Sequence, residues 1–210
     1  MSFDVDIEVR RGDRTISCAF KSPRGITVLF GPSGAGKTSV LEALAGIVKP
    51  ERGHIAVAGR TLFDADQGID LAPEKRGCGY VFQDSRLFPH RSVRANLLYG
   101  WRLQPAERRL IAPELAIGFL GIGHLLDRMP RSLSGGEAQR VAIGRALLSG
   151  PQFILMDEPL ASLDASRRAE ILTLIERIRD ELGLPIAYVS HERGEVDRLA
   201  DTIVPIGLPD

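Results

Sequence analysis

The 210-residue sequence has no excess of either charge: 27 Lys and Arg stand against 27 Asp and Glu, for a formal net charge of zero. Chains that hold nucleic acid through its phosphates usually carry a basic surplus, so the composition gives that role no support. Long apolar runs are missing too, and none approaches the ~18 residues of a membrane-spanning helix. The opening residues, MSFDVDIEVR, alternate apolar and charged side chains, which excludes the unbroken apolar stretch of a secretory signal. Cysteine is scarce. Cys18 and Cys78 lie without metal-ligand spacing and read as two buried thiols in a reduced, cytosolic protein. Internal repeats, low-complexity linkers and coiled-coil heptads are absent as well.

What remains is an ordinary globular composition, 44% hydrophobic and 26% charged, long enough for one large domain. Val5, Ile7 and Val9 alternate with charges, and Ile16, Cys18 and Phe20 do the same after the Arg11–Arg14 turn, which predicts an antiparallel hairpin. Ile26–Phe30, 152–156 and 185–189 are instead continuously apolar, as in strands buried on both faces of a parallel sheet. Between the last two, Ile171, Leu174, Ile175, Ile178 and Leu182 share one helical face, and Gly183 follows as a stop, so 165–182 completes a βαβ unit. Residues 105–120 and 136–149 read as helices within a strand-free middle, roughly 85–150. The expected architecture is an α/β core, 1–84 and 151–210, with an early antiparallel hairpin and a helical insertion.

The sequence Gly31-Pro-Ser-Gly-Ala-Gly-Lys-Thr38 matches G-x-x-x-x-G-K-[ST] in full, directly after the buried strand 26–30 and before a helix expected over 38–47. Gly31, Pro32, Ser33, Gly34, Ala35 and Gly36 form a loop whose backbone N–H groups can turn inward around phosphate oxygens, with a helix dipole behind them. Lys37 is expected on the β- and γ-phosphates and Thr38 on Mg²⁺. Asp157 and Glu158 end the apolar run Phe153–Met156; Asp157 is the candidate Mg²⁺ ligand and Glu158 the group that polarises an attacking water. Gln83 and His191 fall at two further strand ends, where ligands of open α/β sheets collect. Gln83 is suited to Mg²⁺ or water, and His191 to a γ-phosphate. A second anion-binding helix start, Arg131-Ser-Leu-Ser-Gly-Gly-Glu-Ala-Gln-Arg140, stands about a hundred residues after the first.

Taken in order, GPSGAGKT, Gln83, LSGGE, ILMDEP and Ser190-His191 resemble the ATP-binding subunit of ABC transporters over essentially the whole chain. The resemblance implies a P-loop NTPase fold: a RecA-like core, an N-terminal antiparallel β-subdomain and an inserted helical subdomain carrying LSGGE. It assigns Gly34, Gly36, Lys37, Thr38 and Ser39 to the Walker A loop and Gln83 to the Q-loop. Asp157 matches the Walker B aspartate, Glu158 the catalytic glutamate, Asp164 the end of the D-loop and His191 the switch histidine. It further implies a head-to-tail homodimer in which Ser134, Gly135 and Gly136 of one chain face the ATP of the other, and in which closure moves transmembrane permease subunits. The place implied is peripheral, on the cytoplasmic face of the cell membrane, serving an extracytoplasmic solute-binding protein indirectly. ATP and Mg²⁺ are the implied ligands.

Ala72-Pro-Glu-Lys-Arg76, Gly79–Asp84, Arg86-Leu-Phe-Pro-His90, Asn96–Gly100 and Val141–Leu148 narrow the resemblance to ATPases of molybdate or tungstate importers. Sister importers of sulfate, polyamine or ferric iron share the LFPH-like core. Leu87, Phe88 and Leu97 are candidate apolar contacts for a permease helix. Some positions depart from the family pattern. The family's adenine-stacking aromatic is missing from Arg10–Arg14, leaving Phe3 or Phe20 as substitutes; Glu137 stands where glutamine is commoner, and Glu192 where aspartate is usual. Molybdate members also carry a C-terminal regulatory domain of β-barrel type, and the sequence ends at Asp210, near the end of the nucleotide-binding domain. Soluble ABC ATPases of DNA repair insert a long coiled coil before LSGGE, and those of translation carry two such domains in one chain. Neither feature is found in this sequence.

Overall fold

The computed structural model describes residues 1–207. Ten strands form two sheets. The first is β2-β1-β4-β5-β6, built from β1 (Phe3–Arg11), β2 (Arg14–Ser22), β4 (Arg52–Val57), β5 (Arg60–Asp64) and β6 (Ile69–Asp70), all antiparallel. The second is β10-β3-β9-β8-β7, built from β3 (Ile26–Phe30), β7 (Cys78–Val81), β8 (Phe153–Asp157), β9 (Ile186–Ser190) and β10 (Thr202–Pro205), all parallel. The hairpin expected at the N-terminus is β1–β2, with Ile7 opposite Cys18 and Val9 opposite Ile16. The buried runs are β3, β8 and β9, the latter two one residue later than their apolar limits indicate.

Seven α-helices accompany the sheets among the described residues: α1 (Lys37–Ala45), α2 (Pro73–Arg76), α3 (Val93–Leu103), α4 (Pro113–Leu120), α5 (Gly135–Leu148), α6 (Ala165–Leu182) and α7 (Arg193–Leu199). The parallel sheet is buried on both faces because its alternate residues enter two cores. Val28, Met156 and Tyr188 meet α5, α6 and α7, while Leu29, Leu155 and Val189 meet α1 and the antiparallel sheet. Helix α6 has the limits its apolar face predicts, with Asp164 accepting the N–H of Arg167 as N-cap and Gly183 closing the other end at φ 63°. No helix among the described residues is long and apolar enough to cross a membrane.

One expectation for the helical insertion fails, and one helix was not foreseen. A single helix over 105–120 does not form. Only Pro113–Leu120 is α-helical, after a short 3₁₀ turn at Ala106–Arg108. Pro113 has no N–H to give to an interior turn and its ring clashes with the preceding one, so it can begin a helix but not continue it. Helix α3, not expected from the sequence, is capped by Ser92 accepting from the Ala95 N–H. Its Asn96 is fully buried, accepts from the Phe88 N–H and donates to the carbonyls of Phe88, Arg91 and Ser92. A polar residue at the centre of the buried face broke the apolar periodicity.

One buried charge holds the two sheets' connections to α1. Arg76 has no exposed surface. Its guanidinium donates to the carbonyls of Ala43 and Leu44 at the C-terminus of α1, to the Leu71 carbonyl and to Asp70 Oδ1. Burial lowers its pKa from the ordinary arginine value, and Asp70 opposes that shift.

Candidate active site

The ends of β3, β7, β8 and β9 lie side by side at one edge of the parallel sheet, and the predicted site residues follow them directly. After β3 the loop 31–36 turns into α1, whose N-cap Gly36 takes φ 101° and offers no side chain to the first-turn N–H groups. Those groups are thereby left for an anion. A Cβ on Gly36 would stand 2.6 Å from Ile16 Cδ1 of β2, so glycine is needed for space as well as for conformation. The buried Lys37 Nζ donates to its own loop, to the carbonyls of Gly31 at 2.7 Å and Pro32 at 2.8 Å, and lies 4.0 Å from Glu158 Oε1. Burial lowers its pKa, while Glu158 and Asp157 push it back up.

Thr38 Oγ1 donates to Asp157 Oδ1 at 3.0 Å, and the Tyr80 hydroxyl approaches Oδ2 at 3.5 Å. Among the described residues no cluster of three or more His, Cys, Asp or Glu could hold a metal unaided. Two hard oxygens beside a phosphate loop suit Mg²⁺, which retains water and takes phosphate oxygens as its other ligands. Glu158 follows with φ 42°, a left-handed conformation that non-glycine residues rarely adopt outside functional sites. Its Oε1 is 3.2 Å from His191 Nδ1 at the end of β9. A cavity of about 990 Å³ joins the loop 33–39, Gln83 and Glu158 to Arg11, Arg14 and Ile16 of the first sheet.

The second helix start expected to bind an anion is elsewhere. Ser134, Gly135 and Gly136 open α5 and do not line that cavity. They form a capping box: Ser134 Oγ accepts the Glu137 N–H at 3.4 Å, and Glu137 Oε2 accepts the Ser134 N–H at 2.7 Å. The carboxylate of Glu137 thus turns back on its own helix, paired with Arg128, and its pKa is lowered chiefly by the Ser134 N–H. Asp164 is likewise remote from the cavity, as the N-cap of α6. The same α5 pins the turn after Gln83. Ser85 and Arg86 both have positive φ, 58° and 41°, and Arg145 donates to both of their carbonyls while Gln139 Oε1 accepts from the Ser85 hydroxyl.

Three candidate residues are not where the sequence indicated. Phe3 is fully buried and packs edge-on against Phe153, and Phe20 joins the same core, so neither lines the cavity beside the loop. Both rings share the inner face of the hairpin with Ile16, which lines the cavity, but Phe20 stands four residues farther along β2 and Phe3 lies beyond it, over the core. Leu97 is fully buried on the inner face of α3 and is no surface contact. Leu87 and Phe88 are half-buried, with Phe88 edge-on to the exposed Tyr99 at 4.8 Å.

A family model described as ABC transporter matches residues 17–161. The chain belongs to the ABC transporter family. It is 55% identical over 203 residues to the molybdenum import ATP-binding protein ModC of Rhodospirillum rubrum, covering 97% of this chain and 55% of that protein. It is 58% identical over 202 residues to the protein of the same name from Brucella abortus (strain 2308), covering 95% and 55%. The chain therefore spans about half the length of the curated relatives it matches. The solved structure of cbiO1 from Clostridium perfringens, part of the ABC transporter complex cbiONQ, superposes with a TM-score of 0.78 at 27% identity, covering 97% of this chain and 84% of that one.

The cavity has neighbours to which the sequence assigned no role. Arg11 and Arg14 bring cationic groups to the cavity, and Tyr80 closes on Asp157 from β7. In the sequence they are ordinary charged and aromatic residues of strands, distinguishable only once the sheets are assembled. Asp157 itself stands against stability. Burial raises its carboxyl pKa, and Glu158 and Glu42 add to that effect, while Thr38 opposes it. A carboxylate with a raised folded-state pKa destabilises the fold above that value, and the deficit disappears as pH falls through it. Asp157→Asn is therefore expected to raise Tm by about 2–4 °C at neutral pH, for a gain of about 1 kcal/mol, and to bring no gain in acid. Thermal melts at two pH values check this; a lowered Tm at neutral pH would contradict it.

Proposed function

We propose that the chain hydrolyses ATP as a head-to-tail homodimer and powers an ABC importer for molybdate or tungstate. The observation that carries the ATPase reading is the convergence of Lys37, Thr38, Asp157, Glu158 and His191 on one sheet edge. Nucleotide phosphates fit the loop 31–36 and the uncapped start of α1, with Lys37 leaving its loop carbonyls for phosphate oxygens. Mg²⁺ bound by Thr38 and Asp157 would neutralise phosphate charge there. Glu158 is set to take the proton of an attacking water, with His191 beside it to hold the γ-phosphate, and Gln83 reaches the same cavity from β7.

In this reading Ser134 to Gly136, which lie outside the cavity of their own chain, serve the ATP of a second copy. Half-buried Leu87 and Phe88, with exposed Tyr99, offer the face for a permease helix. The oxyanion is inferred from the molybdenum import proteins that match nearly the whole chain. Reconstitution with its permease and solute-binding partners is expected to give ATP-dependent uptake of molybdate and tungstate at least ten times that of sulfate. Preferred uptake of sulfate, polyamine or ferric iron would assign the chain to a sister importer, and uptake without phosphate release would sink the ATPase reading.

A further inference from the structure

Glu195 is a buried carboxylate that the chemistry above does not use. It sits on α7, four residues after His191, and is 5% exposed. Its Oε2 accepts two hydroxyls of β9, Tyr188 at 2.8 Å and Ser190 at 2.8 Å. Tyr188 is fully buried and Ser190 is 2% exposed. Ser190 Oγ in turn accepts the Glu192 N–H at 3.0 Å. The backbone on both sides of His191 is therefore tied, through one hydroxyl, to one carboxylate oxygen. Burial holds the Tyr188 phenol well above its ordinary pKa, so it stays a donor.

The other oxygen faces a different element. Glu195 Oε1 is 3.9 Å from Arg168 Nε, in the first turn of α6, and that Nε is buried with no hydrogen-bond partner among the described residues. The Arg168 backbone N–H closes the turn on the carbonyl of Asp164. A cavity of about 50 Å³ has Glu195, Arg168, His191 and Glu158 on its walls.

We infer that Glu195 is a positioning residue: it fixes the turn that presents His191 to Glu158 and ties that turn to the first turn of α6. Burying a carboxylate this deep costs desolvation that an apolar residue filling the same space would avoid, and the two hydroxyls and Arg168 offset that cost only while they hold this geometry. The inference rests on the ATPase reading of the site and names a residue that acts through His191 without touching nucleotide.

The test is steady-state phosphate release with ATP titrations on the full chain. Glu195→Ala is expected to lower kcat at least tenfold while KM for ATP stays within twofold. Glu195→Gln keeps an acceptor for both hydroxyls and is expected to recover most of the loss. Should Glu195→Ala not fold, Ser190→Ala cuts the same link with a smaller change and is expected to lower kcat in the same direction. Combined with His191→Ala, Ser190→Ala is expected to lower the residual turnover no further, since both act on one group. A folded Glu195→Ala or Ser190→Ala with kcat within twofold of the parent would overturn the inference, as would a rise in KM alone or additive losses in the double variant. Full turnover in His191→Ala by itself would instead overturn the role given to His191.

Discussion

Glu158→Gln is expected to bind ATP as well as the parent chain and to release phosphate at least a thousandfold more slowly. The amide has the volume and the acceptor oxygen of the carboxylate, so the turn after β8 can keep its conformation. It cannot take a proton from water, and positioned general bases contribute on the order of 10² to 10⁴ in rate. Loss of the negative charge also removes the partner that Lys37 Nζ meets at 4.0 Å and His191 Nδ1 at 3.2 Å. Those two side chains are then free for phosphate oxygens, which favours the nucleotide-loaded state. With ATP and Mg²⁺ the variant is expected to elute as a dimer, and without nucleotide as a monomer. Turnover within tenfold of the parent would remove Glu158 from the base role, and lost ATP binding would show that the substitution had collapsed the loop.

Arg76→Met is expected to lower stability by about 3–5 kcal/mol, a Tm decrease of roughly 10 °C. Methionine fills much of the volume but takes none of the four acceptors. The carbonyls of Ala43, Leu44 and Leu71 lose their guanidinium donor inside the core, and Asp70 loses its partner. Buried acceptors left unpaired destabilise by about 1–3 kcal/mol each when no water reaches them. Arg76→Lys should fall between the two, because a compact ammonium cannot reach all the acceptors a planar fork spans. The loss should extend to function, since the C-terminus of α1 is the far end of the helix that holds the phosphate loop. A Tm within 2 °C of the parent would show that solvent or side-chain movement replaces the guanidinium.

The candidate site was legible because its residues follow short strands in contiguous motifs. GPSGAGKT sits between β3 and α1, and Asp157-Glu158 ends β8, so sequence neighbours are also site neighbours. The parallel strands were legible because burial on both faces makes them continuously apolar. Arg76 could be read only as part of a family likeness, since its partners lie 5 to 33 residues away and nothing local distinguishes a buried arginine from an exposed one. Strands β4 to β6 stayed hidden because they are short, include Gly53, and shift register between Ile55 and Ala56. Helix α3 was concealed by Asn96. The aromatic rings proposed for adenine share the inner face of the β1–β2 hairpin with Ile16, and distance along the strands, which no local pattern reveals, puts them over the core instead of the cavity.

The left-handed backbone of Glu158 also bears on how such a chain changes under selection. Glycine accepts φ 42° without the steric penalty of a side chain, and the adjacent Asp157 is a buried charge that a neutral residue would relieve. A laboratory population selected only for heat resistance should therefore accumulate replacements at 157 and 158 early, gaining melting temperature as it loses turnover. Lineages selected for turnover would show the reverse, holding these two positions fixed and finding their stabilising changes in the antiparallel sheet and the helical insertion.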